Sequence, residues 1–123
     1  MFIGGRETNP HHTNTIPSSM RKIEAQMNAA ANASRDWQSG NTSVHCHEGI
    51  SIVRLHGNKI AEIGEDFMTL FDGGWQTTTT KSRLNALLQF FGNGNERVFQ
   101  KAGQWFITAD GWTREFENGV TLA

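Results

Sequence analysis

The spacing of apolar residues changes several times along the chain, and each change marks a boundary between predicted elements. A first helix is predicted where apolar residues recur at steps of three and four; they are Met20, Ile23, Met27, Ala30 or Ala31, and Trp37. Ser18 or Ser19 is placed to cap its first turn, because a serine hydroxyl accepts a bond from the backbone N–H groups there. Gly40, between Ser39 and Asn41, is expected to end the helix.

The segment from Thr42 to Phe71 has the pattern of an antiparallel meander. Two-residue turns are expected at Glu48-Gly49 and at Gly57-Asn58, since glycine and asparagine tolerate the left-handed backbone of tight hairpins. The second strand is apolar at successive positions, Ile52 and Val53 among them, so it is expected to be central and covered on both faces. The predicted strands span about 42–47, 50–56, 59–64 and 67–71.

A second helix is predicted from about Thr80 to Phe91, where Leu84, Leu87, Leu88 and Phe91 follow the spacing of one helical face. Glycines and asparagines then end the helix, and a second meander follows. Its predicted strands are Arg97–Lys101, Gln104–Thr108, Trp112–Phe116 and Val120–Leu122, with turns at Ala102-Gly103, Asp110-Gly111 and Asn118-Gly119.

The predicted fold class is therefore α+β: a helix, an antiparallel four-stranded meander, a helix, and a second antiparallel meander of three to four strands. Residues 1–16 show no periodicity and are expected to form an extended N-terminal arm. Residues 17–123 are expected to form a single α+β domain, because this length suffices for a core without metals or disulfides.

Composition and charge exclude several classes of protein. The chain is 37% hydrophobic and 19% charged, which is typical of a globular protein and not of a disordered one. Eleven Lys and Arg residues against twelve Asp and Glu give a net charge of −1. That balance argues against non-specific coating of nucleic acid, although a local basic surface remains open. No segment suggests a membrane span or an export signal, so a soluble protein of the host cytoplasm is expected.

The turn before the second helix carries the most chemistry in the sequence. The N-terminus of a helix exposes unpaired N–H groups and about half a positive charge, so acidic residues normally gather there. This helix instead has Lys81 and Arg83 in its first turn, beside the hydroxyls of Thr79 and Thr80. The combination predicts a site for an anion such as phosphate or carboxylate. Trp75, just upstream, offers a ring on which a nucleobase can stack.

A purely structural interpretation of the same turn stays open. Threonines before a helix are common caps, and lysine or arginine side chains often cover the rim of a core. Both cations also have potential partners within the chain, in an acidic segment that contains Glu62, Glu65, Asp66 and Asp72.

Residues 73–104 hold an excess of basic residues. Lys81, Arg83, Arg97 and Lys101 stand there against Glu96 as the one acidic residue. A modest basic surface is expected if the second helix packs beside the first strand of the second meander.

His45, Cys46 and His47 are residue types that bind zinc. On a strand, however, Cys46 faces away from both histidines, and a third ligand would have to come from His11 or His12. Neither a metal nor a cofactor is therefore expected. Cys46 is expected to be a small buried hydrophobe, and the two histidines are expected to face solvent.

Other chemistry-bearing residues favour structure over catalysis. Trp37, Trp105 and Trp112 are expected to fill the core. The chain contains no phosphate-binding loop, no nucleophile motif and no carboxylate pair at a spacing that requires acid–base work. An enzyme is therefore not expected.

Four stretches of the chain, within about residues 20 to 108, resemble a family of small proteins encoded by tailed bacteriophages. They are Ala33 to Val44, Val53 to Ile60, Gly74 to Leu88, and Val98 to Phe106. The most specific stretch is Gly-Trp-x-Thr-x-Thr-Thr-Lys-x-Arg-Leu-Asn, beginning at Gly74. The histidine-rich arm and the tail after Asp110 lie outside the resemblance. The resemblance implies a phage origin and no particular activity.

The first functional hypothesis is a phage-encoded, non-catalytic accessory protein that binds a macromolecule, with nucleic acid as the partner. Thr79, Thr80, Lys81 and Arg83 would bind phosphate, and Trp75 would stack on a base. The alternative is a small protein-binding inhibitor of a host or anti-phage defence factor, which would use the acidic segment or exposed aromatic residues. The oligomeric state does not follow from the sequence.

Overall fold

A computed structural model of the chain describes residues 20–122. The predicted arm at residues 1–16 and the capping candidates Ser18 and Ser19 lie outside the described residues. The described range holds two helices, α1 (Lys22–Asn32) and α2 (Thr78–Phe91). Its strands are β1 (Trp37–Ser39), β2 (Thr42–His47), β3 (Ile50–Leu55), β4 (Asn58–Ile63), β5 (Met68–Leu70), β6 (Arg97–Lys101), β7 (Gln104–Ala109), β8 (Trp112–Glu115) and β9 (Val120–Leu122). The predicted α+β class is confirmed.

The strands form two antiparallel sheets. The large sheet has six strands in the order β1-β2-β3-β4-β5-β9, and the small sheet has three in the order β6-β7-β8. The prediction that Val120–Leu122 is a strand of the second meander is wrong, because β9 pairs with β5 of the large sheet, Met68 opposite Leu122. Val120 and Leu122 are buried there. Pairing with β5 therefore satisfies the backbone hydrogen bonds of β9 and places these two side chains in the core.

α1 ends before Trp37, which lies on β1 and not on the helix as the apolar spacing predicted. Ser34 adopts a left-handed φ of 53° directly after the helix. The Ser34 N–H donates to the Ala31 carbonyl at 3.2 Å, and the Arg35 N–H donates to the Ala30 carbonyl at 2.9 Å. These two bonds form a Schellman motif, in which the left-handed position is usually glycine. Because serine occupies it here, the sequence pattern did not indicate the stop.

The tight hairpins are close to their predicted places. Glu48-Gly49 forms a turn with φ angles of 51° and 81°, as predicted. The turn between β3 and β4 is His56-Gly57, with φ angles of 53° and 80°, because Leu55 already pairs with Asn58. It therefore lies one residue before the predicted Gly57-Asn58. Two positive φ angles in each turn match the twist of antiparallel strands.

β3 has a central position in the large sheet, as predicted, but only one of its faces is fully buried. Val53 and Leu55 lie on the buried face, whereas Ile50 and Ile52 are partly exposed on the other. α1 packs against β2 and β3, and the buried side chains of these strands share one core cluster with it. The expected cover on both faces is therefore absent within the described residues.

α2 joins the two sheets, since it contacts α1, β4 and β6. All four residues of its predicted apolar face are buried, and so are Thr80 within that face and Arg83 and Ala86 beside it. Thr78 and Gln89 are the exposed residues of α2. A helix buried around most of its circumference lies inside a protein. The polar side chains of its first turns therefore meet other elements of the fold.

Thr77 caps α2, because its Oγ1 accepts the Thr80 backbone N–H at 3.0 Å. Replacing Thr77 by alanine is expected to lower the free energy of unfolding by about 1 kcal/mol, since a helix N–H loses its partner. Urea denaturation of the wild type and the variant measures the difference. Thr78→Ala is the matched control, because Thr78 is exposed at the next position. Equal effects of the two substitutions would show that the cap contributes nothing.

Candidate functional site

Arg83 lies inside the protein and not at the surface where an anion would meet it. Its side chain is 4% exposed, and its Nη1 lies 2.8 Å from Oε2 of Glu24, which is 2% exposed. Its Nε donates to Oγ1 of Thr42 at 3.0 Å, and its Nη2 donates to Oδ1 of Asn41 at 3.3 Å. The expectation that Arg83 is available to bind phosphate is therefore wrong. The cation is already occupied by a carboxylate of the same molecule.

The carboxylate of Glu24 is fully engaged as well. Its Oε2 accepts the Ser82 hydroxyl at 2.6 Å in addition to Arg83, and its Oε1 accepts the Arg21 backbone N–H at 3.3 Å. The partner of Arg83 is thus on α1, 59 residues away in the chain, and not in the acidic segment 62–72. Within that segment, Glu62 pairs with Lys59 at 2.7 Å.

Lys81 points away from Arg83 and toward the small sheet. Its Nζ donates to Oε1 of Gln100 on β6 at 3.3 Å. Two positions on a helix that are two residues apart differ by about 200° in direction, which is why the two cations diverge. No carboxylate pairs with Lys81 among residues 20–122. The predicted convergence of Lys81 and Arg83 on one anion does not occur.

The other three candidate residues do lie together, in a cleft of about 360 Å³. It is formed by the β3–β4 hairpin, the loop after β5 and the first turn of α2; its lining residues are Leu55, His56, Asn58, Ile60, Asp72, Gly73, Trp75, Thr77, Thr79 and Thr80. Trp75 is 71% exposed. Thr80 is buried, and its hydroxyl already bonds the Thr77 hydroxyl at 2.9 Å. Asp72 places a carboxylate in the cleft and no lysine or arginine lines it, so the cleft does not favour phosphate.

α2 packs beside β6, which is the condition under which a basic surface was expected. Arg97 and Lys101 are exposed on the outer face of β6, whereas Lys81 bonds Gln100, which lies on the inner face opposite buried Trp105. None of these three cations pairs with a carboxylate in the described part of the chain. Glu96, the acidic residue nearest in sequence, accepts the Asn93 backbone N–H at 2.9 Å instead. The outer face of β6 therefore has two cations without a carboxylate partner, and Lys81 is not part of it.

Two phenylalanine rings stand on the outer face of the small sheet. Phe99 on β6 is directly opposite Phe106 on β7, and their ring centroids are 5.7 Å apart at an interplanar angle of 21°. The Arg97 guanidinium carbon lies 5.5 Å from the centre of the Phe99 ring. Such a contact contributes about 0.5–1 kcal/mol at an exposed site. The alternate residues on these strands, Val98 and Trp105, are buried in the core.

The outer face of the small sheet is open to solvent. Both phenylalanines are partly exposed, and neighbouring positions on the same face, Gln104, Thr113 and Glu115, are exposed. We refer to Arg97, Phe99, Lys101 and Phe106 as the basic face. The two phenylalanines were not among the residues predicted from the sequence to form a site, since the predictions for large aromatic residues concerned the tryptophans. The alternation Arg97-x-Phe99-x-Lys101, with Val98 buried between, was the signal that these three residues of β6 share an outer face.

The tryptophans divide between core and surface. Trp105 is buried, as predicted, and Trp37 is partly buried against the core. Trp112 is 38% exposed on the edge strand β8, so its predicted place in the core is wrong. The Arg114 guanidinium lies 4.8 Å from its ring centre. All four residues of β8 are exposed, which explains why Trp112 is not covered.

The histidine-cysteine segment can be compared with described residues only, since the candidate third ligands His11 and His12 lie outside them. His45 and His47 are exposed, as predicted, and His45 is opposite Ile52. Among residues 20–122, no three His, Cys, Asp or Glu side chains lie close enough to hold a metal ion. Cys46 is only partly buried, with its Sγ 3.4 Å from the Ser51 hydroxyl, so the predicted full burial is wrong. No helix in the described range is both long and apolar enough to span a bilayer.

The buried ion pair can be tested by stability measurements. Arg83→Met is expected to lower the free energy of unfolding by about 3–5 kcal/mol, because Glu24 is left buried without a countercharge. The double variant Glu24→Leu/Arg83→Met is expected to be more stable than Arg83→Met alone, since no unpaired charge remains. Urea denaturation measures both. Lys81→Met is the control on the opposite side of α2, with an expected change of about 0.5 kcal/mol or less. A loss no larger for Arg83→Met than for Lys81→Met would contradict the role of the pair.

Most of the chain matches a known protein family. A family model described as Kyanoviridae Gp96 protein matches residues 20–123. The match includes the basic face, the cleft at Trp75 and the tail after Asp110, which lay outside the earlier resemblance. No curated protein and no solved structure matches the chain. The predicted phage resemblance is confirmed, and the chain belongs to the Kyanoviridae Gp96 family of phage proteins.

Proposed function

We propose that this phage protein is a non-catalytic accessory protein that binds nucleic acid in the host cytoplasm, with the basic face as its contact surface. The main support is the pair of cations on β6, Arg97 and Lys101, which are exposed on its outer face and have no carboxylate partner among the described residues. Unpaired cations on one surface attract the phosphate backbone by releasing its condensed counterions.

The proposed contact surface is the basic face and not the N-terminus of α2, which the sequence favoured. Arg83 is excluded because Glu24 neutralises it inside the protein. Lys81 is excluded as well, because it bonds the amide of Gln100, which is opposite buried Trp105 and so lies on the other face of the small sheet. The cleft at Trp75 is a separate feature, because its one carboxylate, Asp72, would repel phosphate.

The affinity of such a surface is expected to be modest. The protein has a net charge of −1, and Glu115 is opposite Phe106 on the same sheet face. Two phosphate contacts, at Arg97 and Lys101, correspond to a salt slope of about −1.4 for a single strand. Non-specific binding of this kind has dissociation constants of roughly 10⁻⁴ to 10⁻⁶ M at physiological salt.

A second candidate function has a specific observation in its favour. Trp75 is 71% exposed and lines a cleft that has both apolar and polar side chains. Among residues 20–122, no aromatic ring or cation contacts its indole. Exposed tryptophans are enriched among residues that dominate protein interfaces. In this alternative, the protein inhibits a host or anti-phage defence factor by inserting Trp75 into that partner.

The double substitution Arg97→Ala/Lys101→Ala tests the nucleic-acid proposal. It is expected to weaken binding and to reduce the salt slope by about 1.4, since each lost phosphate contact removes about 0.7 for a single strand. Fluorescence anisotropy with a short labelled oligonucleotide, measured over a salt series, gives both quantities. Lys22→Ala/Arg35→Ala is the matched control, because it removes the same charge at exposed positions elsewhere.

Trp75→Ala separates the two candidate functions. Nucleic-acid binding at the basic face is expected to survive this substitution, because Trp75 lies in the cleft and not on the small sheet. The same anisotropy assay measures it. If neither DNA nor RNA of any form binds at low salt, the nucleic-acid proposal fails. Loss of a stable host-protein complex in the Trp75 variant would then favour the inhibitor.

A further inference from the structure

We infer that the basic face binds single-stranded nucleic acid in preference to a duplex, with unpaired bases stacking on Phe106 and Phe99. The inference rests on the proposed function and names its ligand class. It follows from the presence of two aromatic rings among the cations, which a site for phosphates alone does not need.

Only an unpaired base can stack on the rings of Phe99 and Phe106. Phe99 and Phe106 are cross-strand neighbours on an open sheet face and are partly exposed. In a duplex the faces of the bases are stacked on one another, and only their edges are accessible in the grooves. A single strand presents the faces of its bases, and these stack on aromatic side chains with little dependence on sequence.

The cations flank the rings along the direction of the strand. Arg97 and Lys101 lie two residues before and after Phe99, so each is roughly 7 Å from it along β6. A nucleic-acid strand that follows β6 therefore meets a cation, the rings and a second cation in turn. This alternation of backbone and base contacts is the arrangement typical of single-strand binding surfaces.

Arg97 has a different role in the free and the bound protein. In the free protein its guanidinium lies over the Phe99 ring, with the carbon 5.5 Å from the ring centre. A base that stacks on this side of Phe99 takes the place of the guanidinium. Arg97 is then released to bind the adjacent phosphate, so one exposed cation–π contact is exchanged for base stacking and a charged hydrogen bond.

Glu115 sets the direction of the bound strand. It is opposite Phe106 on β8, the strand on the far side of β7 from β6. Its carboxylate repels phosphate, so the nucleic-acid backbone is expected to follow β6 and only the bases to reach over β7. Removing this charge should tighten binding without any change to the rings.

The test compares a single strand with a duplex of the same sequence. Wild-type protein is expected to bind the single strand more tightly than the duplex at the same salt concentration. Phe99→Leu/Phe106→Leu is expected to weaken single-strand binding on the order of tenfold, with duplex binding and the salt slope unchanged. Leucine keeps an apolar side chain at both positions but removes the aromatic faces. Circular dichroism and urea denaturation verify that the variant is folded.

Two further variants, Phe106→Leu and Glu115→Gln, test the roles of the ring and of the carboxylate separately. If the double variant does not fold, Phe106→Leu alone is compared with wild type in the same assay, with a smaller loss expected for the single strand. Glu115→Gln is expected to increase affinity for the single strand. Equal binding of single strand and duplex, together with no effect of the phenylalanine substitutions, would overturn the inference and leave the proposed function standing. Absence of binding to either form would instead overturn the proposed function itself.

Discussion

The ion pair between Glu24 and Arg83 decides how α2 is oriented in the protein. Burying two charges costs several kcal/mol, and their attraction offsets this cost only when the remaining donors and acceptors are also satisfied. Here Thr42, Asn41 and Ser82 complete the hydrogen bonds. Rotation of α2 about its axis would leave a charge buried without its partner. The helix therefore has one favourable rotation, and every other side chain on it takes its direction from that rotation.

The orientation of α2 determines which cations reach solvent. With Arg83 directed toward α1, Lys81 is directed toward β6, and Thr79 and Thr80 lie at the cleft with Trp75. A segment that looks like an anion site in the sequence is thereby divided among three environments. The positive charge that remains accessible is on the small sheet, where strand alternation separates exposed Arg97 and Lys101 from buried Val98.

The small sheet combines two surfaces of different chemistry because its strands alternate. One surface supplies Trp105 and Ile107 to the core, while the other leaves Phe99 and Phe106 paired with each other in partial contact with water. Apolar residues on an open surface are informative when they are large, adjacent and surrounded by charge. This is why the basic face, and not the helix end, is the better candidate for contact with a partner.

The sequence by itself determined the elements and most of their limits. The strands β2 to β5 lie within one residue of their predicted bounds, and the predicted apolar face of α2 is buried throughout. Periodicity and turn chemistry are local properties, so they can be seen in a single sequence. The end of α1 is the main local failure, because serine takes the left-handed place at which glycine would have marked the stop.

Only the tertiary structure decided which residues meet across long distances in the chain. The partner of Arg83 is 59 residues away, and β9 crosses from the second meander to the edge of the large sheet. The five candidate site residues lie in the loop before α2 and in its first two turns, but their exposure depended on tertiary contacts that no local pattern encodes. Burial and pairing are properties of the assembled layers, and the chemistry available to a ligand follows from them.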